Sequence, residues 1–262
     1  MAISQESLEK FQTLLATLSA RFPEAIANAE ELADSVVELT QVDRPTMWRL
    51  IWTKVLYANM RVNRAKQFIE MLQPYLLTTP SILEHWEQAF CVKYRKLDRH
   101  WTSSQNYEYV GMSVSEARRR TGVAGRRLNA IYGAGCAFIR WNSQELYRLE
   151  RLSLEEQMSE IQSQFGLGWG TITVAHLLTD LGLAIKPDLH LVNTVCRLGI
   201  YDWRRVRPNQ VPSARHILGI ISAVNELNRV LHKEENLAAQ RRKLRWLDKI
   251  LMEISRSGVL DG

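Results

Sequence analysis

Apolar residues recur every three or four positions along almost the whole chain, which is the spacing of one face of an α-helix. The first stripe contains Leu8, Phe11, Leu15 and Leu18, and no stretch of the sequence alternates apolar and polar residues for long. Without that alternation the sequence offers no half-buried strand. We therefore expect an all-α fold.

Several signals mark the ends of the expected helices. Ser113 and Ser153 each begin a capping box, with a glutamate three residues later. Gly166 follows an apolar stripe and favours a left-handed helix end, whereas Ser213 favours a helix start. Thr79 and Pro80 predict the start of a further helix. With 262 residues, the chain is long for one helical core, so we expect two lobes with a cleft between them.

The composition is that of a soluble globular protein, with 46% hydrophobic residues and no apolar run long enough for a membrane span. The N-terminus is acidic and amphipathic, unlike a signal peptide. Cys91, Cys136 and Cys196 are scattered and odd in number, which favours a reducing cytoplasm over a disulfide framework. The net charge of +6 is compatible with nucleic-acid binding without requiring it.

The most informative segment is the glycine turn, residues 166–170, which reads Gly-Leu-Gly-Trp-Gly between two helical patterns. Such a turn can offer backbone N–H groups to a phosphate, and the dipole of the following helix favours the negative charge. Arginine clusters at 118–127 and 204–207 flank the turn in sequence, which makes phosphate contacts there more attractive. A simple helix–helix turn is the alternative interpretation.

Asp188 lies 18 positions after Gly170, within Lys186-Pro187-Asp188-Leu189-His190 at the start of another helical pattern. A carboxylate near a phosphate anchor can be held over a sugar, where it would stabilise positive charge during cleavage of a glycosidic bond. An N-cap role is the alternative, and both roles are compatible. His190 is expected to be a structural residue at the helix start.

The turn, the helix after it, Pro187-Asp188-Leu189-His190 and Arg197-Leu198-Gly199 together resemble the helix-hairpin-helix DNA glycosylases, the superfamily that includes endonuclease III. The resemblance is good over about 50 residues and weaker near 48–65. It implies a two-lobed helical bundle with a DNA-facing cleft. Its expected parts are a six-helix-barrel-type lobe at 45–150 with part of the base pocket, the hairpin and aspartate segment at 151–200, and a second lobe from 1–44 and 201–262.

The resemblance also implies roles for individual residues. Gly166, Gly168, Gly170 and Thr171 would bind the backbone of double-stranded DNA, with a monovalent cation as an optional companion. Asp188 would be the catalytic carboxylate, and Asn59 would enter the space left by the flipped base. Trp48, Trp52, Tyr57 and Trp169 are candidate stacking surfaces, although most of the eight tryptophans must form the core.

Ile172 occupies the position at which bifunctional relatives carry a nucleophilic lysine. The resemblance therefore implies a monofunctional enzyme that uses water, unless Lys186 substitutes for that lysine. Three cysteines cannot bind the four-cysteine iron–sulfur cluster of some relatives, and no His/Cys pair has metal-ligand spacing, so we expect no metal and no cluster.

The resemblance thus implies a DNA glycosylase that hydrolyses the bond to a damaged or modified base and leaves an abasic site, and we expect it to be monomeric and cytoplasmic. Repair is the expected setting, with restriction of modified phage DNA as the alternative. One competing hypothesis is a non-catalytic helix-hairpin-helix module that binds DNA and recruits a partner. Another is an all-α interaction protein without a DNA role.

Overall fold

The computed structural model describes residues 3–37, 39, 42–58, 60–76, 108–109, 112–138, 141, 143–202, 212–232 and 236–261. Within these ranges the chain is predominantly helical, which confirms the all-α prediction. The strands β1 (Glu108–Tyr109) and β2 (Met112–Ser113) form one short antiparallel pair. No helix in the described part of the chain is long and apolar enough to cross a membrane.

Twelve α-helices lie in the described ranges. They are α1 (Gln5–Arg21), α2 (Pro23–Asp34), α3 (Arg44–Tyr57), α4 (Val62–Leu76), α5 (Val114–Thr121), α6 (Gly125–Phe138), α7 (Ser143–Glu150), α8 (Leu154–Phe165), α9 (Thr171–Asp180), α10 (Leu189–Arg197), α11 (Ala214–Leu231) and α12 (Leu237–Arg256). A 3₁₀ turn, Val259–Asp261, follows α12. The helix predicted after Thr79 and Pro80 lies outside the described residues.

The described residues divide into two compact units. Unit 1 comprises Met1–Glu38, Ser153–Glu155 and Leu178–Gly262, and unit 2 comprises Leu39–Leu152 and Glu156–Leu177. The boundaries that the sequence suggested, at 45, 150 and 200, stay predictions, as does the cleft.

Unit 1 is organised around α12, which packs against α2, α10 and α11. Leucine and isoleucine side chains recur at three- and four-residue spacing along α12, so that Leu247, Ile250 and Ile254 are fully buried. Small side chains on α2, including the fully buried Ala29, line the face that meets α12.

A buried arginine closes one end of this core. Arg241, which is followed in sequence by Arg242 and Lys243, is only 6% exposed and donates to the carbonyl oxygens of Val37 at 3.1 Å and Leu181 at 3.4 Å. These carbonyls lie just beyond the C-terminal ends of α2 and α9. Arg241 therefore donates hydrogen bonds to backbone groups that have left the helical hydrogen-bond pattern. Its role is structural, so it is not a phosphate ligand.

Unit 2 is built on the packing of α3 against α6 and of aromatic side chains against one another. Trp48 of α3 stacks on Phe138 of α6, with ring centroids 5.2 Å apart. Phe165, the last residue of α8, contacts the rings of both Trp141 and Trp169, at centroid distances of 4.8 and 4.6 Å. Phe165 directly precedes the glycine turn in sequence and Trp169 lies within it, so this aromatic core includes part of the turn.

Candidate functional site

The glycine turn is a β-turn that joins α8 to α9 in unit 2. Gly166 has φ of 74°, and its N–H donates to Gln162 O at 3.0 Å, so it ends α8 in the left-handed conformation that the sequence predicts. The N–H of Trp169 donates to Gly166 O at 3.2 Å and closes the turn, with Gly168 at its third position and φ of 93°.

Gly168 is needed for packing as well as for the turn. A Cβ atom on Gly168 would lie 2.4 Å from the Cβ of Ala130, which is itself 1% exposed within α6. The indole N–H of Trp169 donates to Ala130 O at 3.0 Å from the same side. The turn is therefore held rigidly against α6, and only a glycine fits at position 168 without displacing that helix.

The outer side of the turn is exposed and rich in backbone donors. Gly166, Leu167, Gly168 and Gly170 are exposed, with Leu167 65% exposed. Among the described residues, the N–H groups of Gly168, Gly170 and Thr171 have no acceptor. They lie at the N-terminus of α9, whose dipole favours an anion.

Arginine 126 lies beside this turn on the first turn of α6. Its carbonyl oxygen is 3.9 Å from the position that a Cβ would take at Gly168, its side chain is exposed, and it has no acidic partner in the described ranges. Arg127 differs, because it donates to Val55 O at 2.5 Å and Leu56 O at 3.3 Å at the end of α3. Burial, aided by the charge of Arg126, lowers the pKa of Arg127.

Asp188 caps α10 in unit 1. Its Oδ1 accepts from the N–H of Leu191 at 2.8 Å, and its φ of −81° and ψ of 172° are those of an N-cap residue. The N-cap role is confirmed. Oδ2 accepts no hydrogen bond from any described residue, so one carboxylate oxygen remains for chemistry.

The Asp188 loop, residues 181–188, is held by its own backbone and by α12. The N–H of Leu183 donates to Leu178 O at 2.8 Å and ends α9 in a Schellman motif. Ala184 and Ile185 are fully buried, and the N–H of Asp188 donates to Lys186 O at 2.8 Å. The N–H of Lys186 donates to Oδ1 of Asp248 at 3.1 Å.

Asp248 is a site residue that sequence reasoning missed. Its side chain is 13% exposed, and its Oδ2 accepts from Nη1 of Arg245 at 2.9 Å. Burial, with a smaller contribution from the charge of Asp188, raises the pKa of Asp248 to about 6, against the opposing effects of the Arg245 charge and of the N–H bond and charge of Lys186. The signal was present, since Asp248 lies four residues after Leu244 and three before Leu251 on the apolar face.

The remaining candidates have mixed outcomes. Asn59 and the arginines at 204–207 lie outside the described residues. Trp48, Trp52 and Trp169 are at most 2% exposed and belong to the core, so they are not stacking surfaces. Tyr57 is half-buried, with its ring edge-on to His176 at 6.5 Å.

His190, at the start of α10, is exposed, and its Nδ1 lies 3.4 Å from Oγ of Ser255 in α12. No group of three or more potential metal ligands occurs within the described ranges.

Comparison of the chain with family models, with curated proteins and with solved structures finds no match.

Proposed function

We propose that this protein is a monofunctional DNA glycosylase. Its substrate is a duplex with a damaged or modified base, and its products are the free base and an abasic strand. The single observation that carries the proposal is Asp188, a carboxylate that caps α10 with one oxygen and leaves the other without a hydrogen-bond partner among the described residues. The glycine turn supports it independently, as a binding surface for the DNA backbone.

In the proposed reaction the bond between C1′ and the base nitrogen breaks as positive charge develops on the deoxyribose. The ionised Asp188 stabilises that charge. A water molecule forms the new bond to C1′ and transfers a proton to the Asp188 carboxylate, while the leaving base takes a proton from solvent. The flipped nucleotide must be unstacked first, which costs a few kcal/mol.

The turn would bind phosphate through backbone groups that no described residue uses. The N–H groups of Gly168, Gly170 and Thr171 supply the donors, and Arg126, whose backbone lies beside the turn, adds an exposed cationic side chain. Because the α6 contact holds the turn rigidly, little conformational entropy is lost when a phosphate binds.

Arg126 gives a prediction for DNA affinity. Replacing Arg126 by alanine should weaken binding to any duplex about 3-fold to 10-fold at moderate salt, since one phosphate contact is lost. The slope of log K against log salt should fall by about 1. Fluorescence anisotropy across a salt series measures both quantities.

The matched control is Arg229→Ala, which removes an exposed arginine of α11 whose partner is Glu226 on the same helix. Its affinity and salt slope should equal those of the wild type. Equal losses of DNA affinity in the two variants would contradict the proposal that the glycine turn binds phosphate. A wild type without salt-dependent duplex binding would favour an interaction protein with no DNA role.

Ile172 gives a prediction for the reaction type. An isoleucine side chain cannot form a Schiff base. Lys186 lies in the Asp188 loop, where its backbone N–H donates to Asp248 of α12. Borohydride added during turnover should therefore trap no covalent complex, and the product strand should stay unbroken until alkali cleaves it. A trapped complex that disappears in Lys186→Ala would mean that Lys186, and not water, is the nucleophile.

The proposal is tested by a screen for base release. Duplexes that each carry one lesion or modification are incubated with excess protein, and the free base is detected by mass spectrometry. Release from at least one duplex is expected. Salt-dependent binding without release from any of them would favour the non-catalytic module that recruits a partner.

A further inference from the structure

We propose that Asp248 is a positioning residue for Asp188, and that its ionised form holds the Asp188 loop in the conformation that presents the catalytic carboxylate. This inference rests on the proposed function of Asp188. Its structural basis is the contacts of Asp248 within unit 1.

The first observation is that Asp248 and Arg245 together tie both ends of the Asp188 loop. Oδ1 of Asp248 accepts the N–H of Lys186, two residues before Asp188, at 3.1 Å. Arg245 binds Oδ2 of Asp248 at 2.9 Å and approaches Oδ1 of Asp180, the last residue of α9, to 3.6 Å. One pair of side chains on α12 thus holds the chain before and after the turn of the loop.

The second point is the burial of Asp248, which implies that its charge does not serve stability. Because burial raises the pKa of Asp248 from 3.8 to about 6, the folded chain binds this proton more tightly than the unfolded chain does. The contribution of Asp248 to the free energy of unfolding therefore falls as the pH rises from about 4 to about 6 and stays lower above that range. An asparagine could accept the same N–H bond of Lys186 without this cost.

The ionised form has a specific effect on the loop. A carboxylate makes charge-assisted bonds to the Lys186 N–H and to Arg245, and these are stronger than the bonds of a neutral carboxyl group. The charged groups around Asp248 in the described ranges are Arg245 on its own helix, Lys186 and Asp188 on the loop, and Asp180 reached through Arg245. Protonation of Asp248 weakens its hydrogen bond from the Lys186 N–H, so the Asp188 loop is held less firmly in the conformation that presents the Asp188 carboxylate.

The test compares base release by wild type, Asp248→Asn and Asp248→Ala under single-turnover conditions between pH 5 and 8. The wild-type rate should fall below about pH 6. Asp248→Asn should be slower at pH 8 by about 10-fold to 100-fold, the scale of a small misplacement of a catalytic group, and should lack the decline near pH 6. Asp248→Ala should be at least as slow.

The matched control is Glu253→Gln, which neutralises a carboxylate of the same helix whose side chain is 18% exposed and pairs with Lys249 at 2.5 Å. Its pH profile should superimpose on that of the wild type. Asp248→Asn with the wild-type rate at pH 8, or with the decline near pH 6 intact, would overturn the inference.

Amide hydrogen exchange of the Asp188 loop distinguishes failure of the proposed function from failure of the positioning role. Peptides that cover residues 181–188 should exchange faster in Asp248→Ala than in wild type or Glu253→Gln at the same pH. If the wild type releases no base from any duplex, the proposed function falls while faster exchange still supports positioning. Equal exchange in the three proteins would overturn positioning whatever the activity.

Discussion

Replacing Gly168 by alanine should lower the free energy of unfolding by about 2–4 kcal/mol. Two costs combine at this position. A side chain at φ of 93° is strained, and the new Cβ would lie 2.4 Å from the Cβ of Ala130, so that α6 or the turn must move. Urea unfolding followed by circular dichroism measures the change.

Gly122→Ala separates the two costs. Gly122 also has positive φ, 69°, but a Cβ there would meet nothing within 4 Å. This variant should lose only the backbone contribution of about 1–2 kcal/mol. Equal losses in the two variants would mean that the contact between the turn and α6 does not hold the turn in place.

The helices and many of their ends could be predicted from the sequence, because local propensity decides them. Gly166 ends α8 as predicted, and Asp188 caps α10, the role that the sequence left open as the alternative to catalysis. The helix α6 runs through its internal glycines. Ser213 begins α11 without the side-chain cap bond that its type suggests. The apolar spacing continues to Val36 and Val37, but α2 ends at Asp34 and the chain beyond it is held by Arg241.

The side-chain roles could be predicted only where one short segment defines them. The glycine turn and Asp188 were found in this way. Arg127 was placed in the arginine cluster at 118–127, although it donates to a backbone carbonyl 72 residues away in sequence. Arg241 likewise donates to a carbonyl 204 residues away. Asp248 was missed for the same reason, because its partner Lys186 lies 62 residues earlier and only tertiary packing brings them together.

Asp188→Asn should reduce base release to a small fraction of the wild-type rate while leaving the fold and the DNA affinity intact. Asparagine accepts the N–H of Leu191 as aspartate does, and the two residues are equivalent helix caps, so the stability of α10 should change little. The variant loses the negative charge that stabilises the developing cation and accepts the water proton. A loss of about 1,000-fold in rate is expected, with the dissociation constant for duplex within about threefold of the wild type.

Asp43→Asn is the matched control, because Asp43 caps α3 through a bond from Thr46 N to its Oδ1 at 2.7 Å. It makes the same chemical change at a helix start outside the proposed site. Its rate of base release should equal that of the wild type. A comparable loss of rate in Asp43→Asn would mean that cap aspartates affect activity through folding alone.

The central claim is tested most directly by mass spectrometry of the free base released by wild type and by Asp188→Asn from the same panel of lesion-bearing duplexes. The wild type should release one base or a small group of related bases and leave an unbroken abasic strand, while Asp188→Asn binds the same duplexes and releases none above background. Equal release by the two proteins, or no release by the wild type from any duplex, would contradict it.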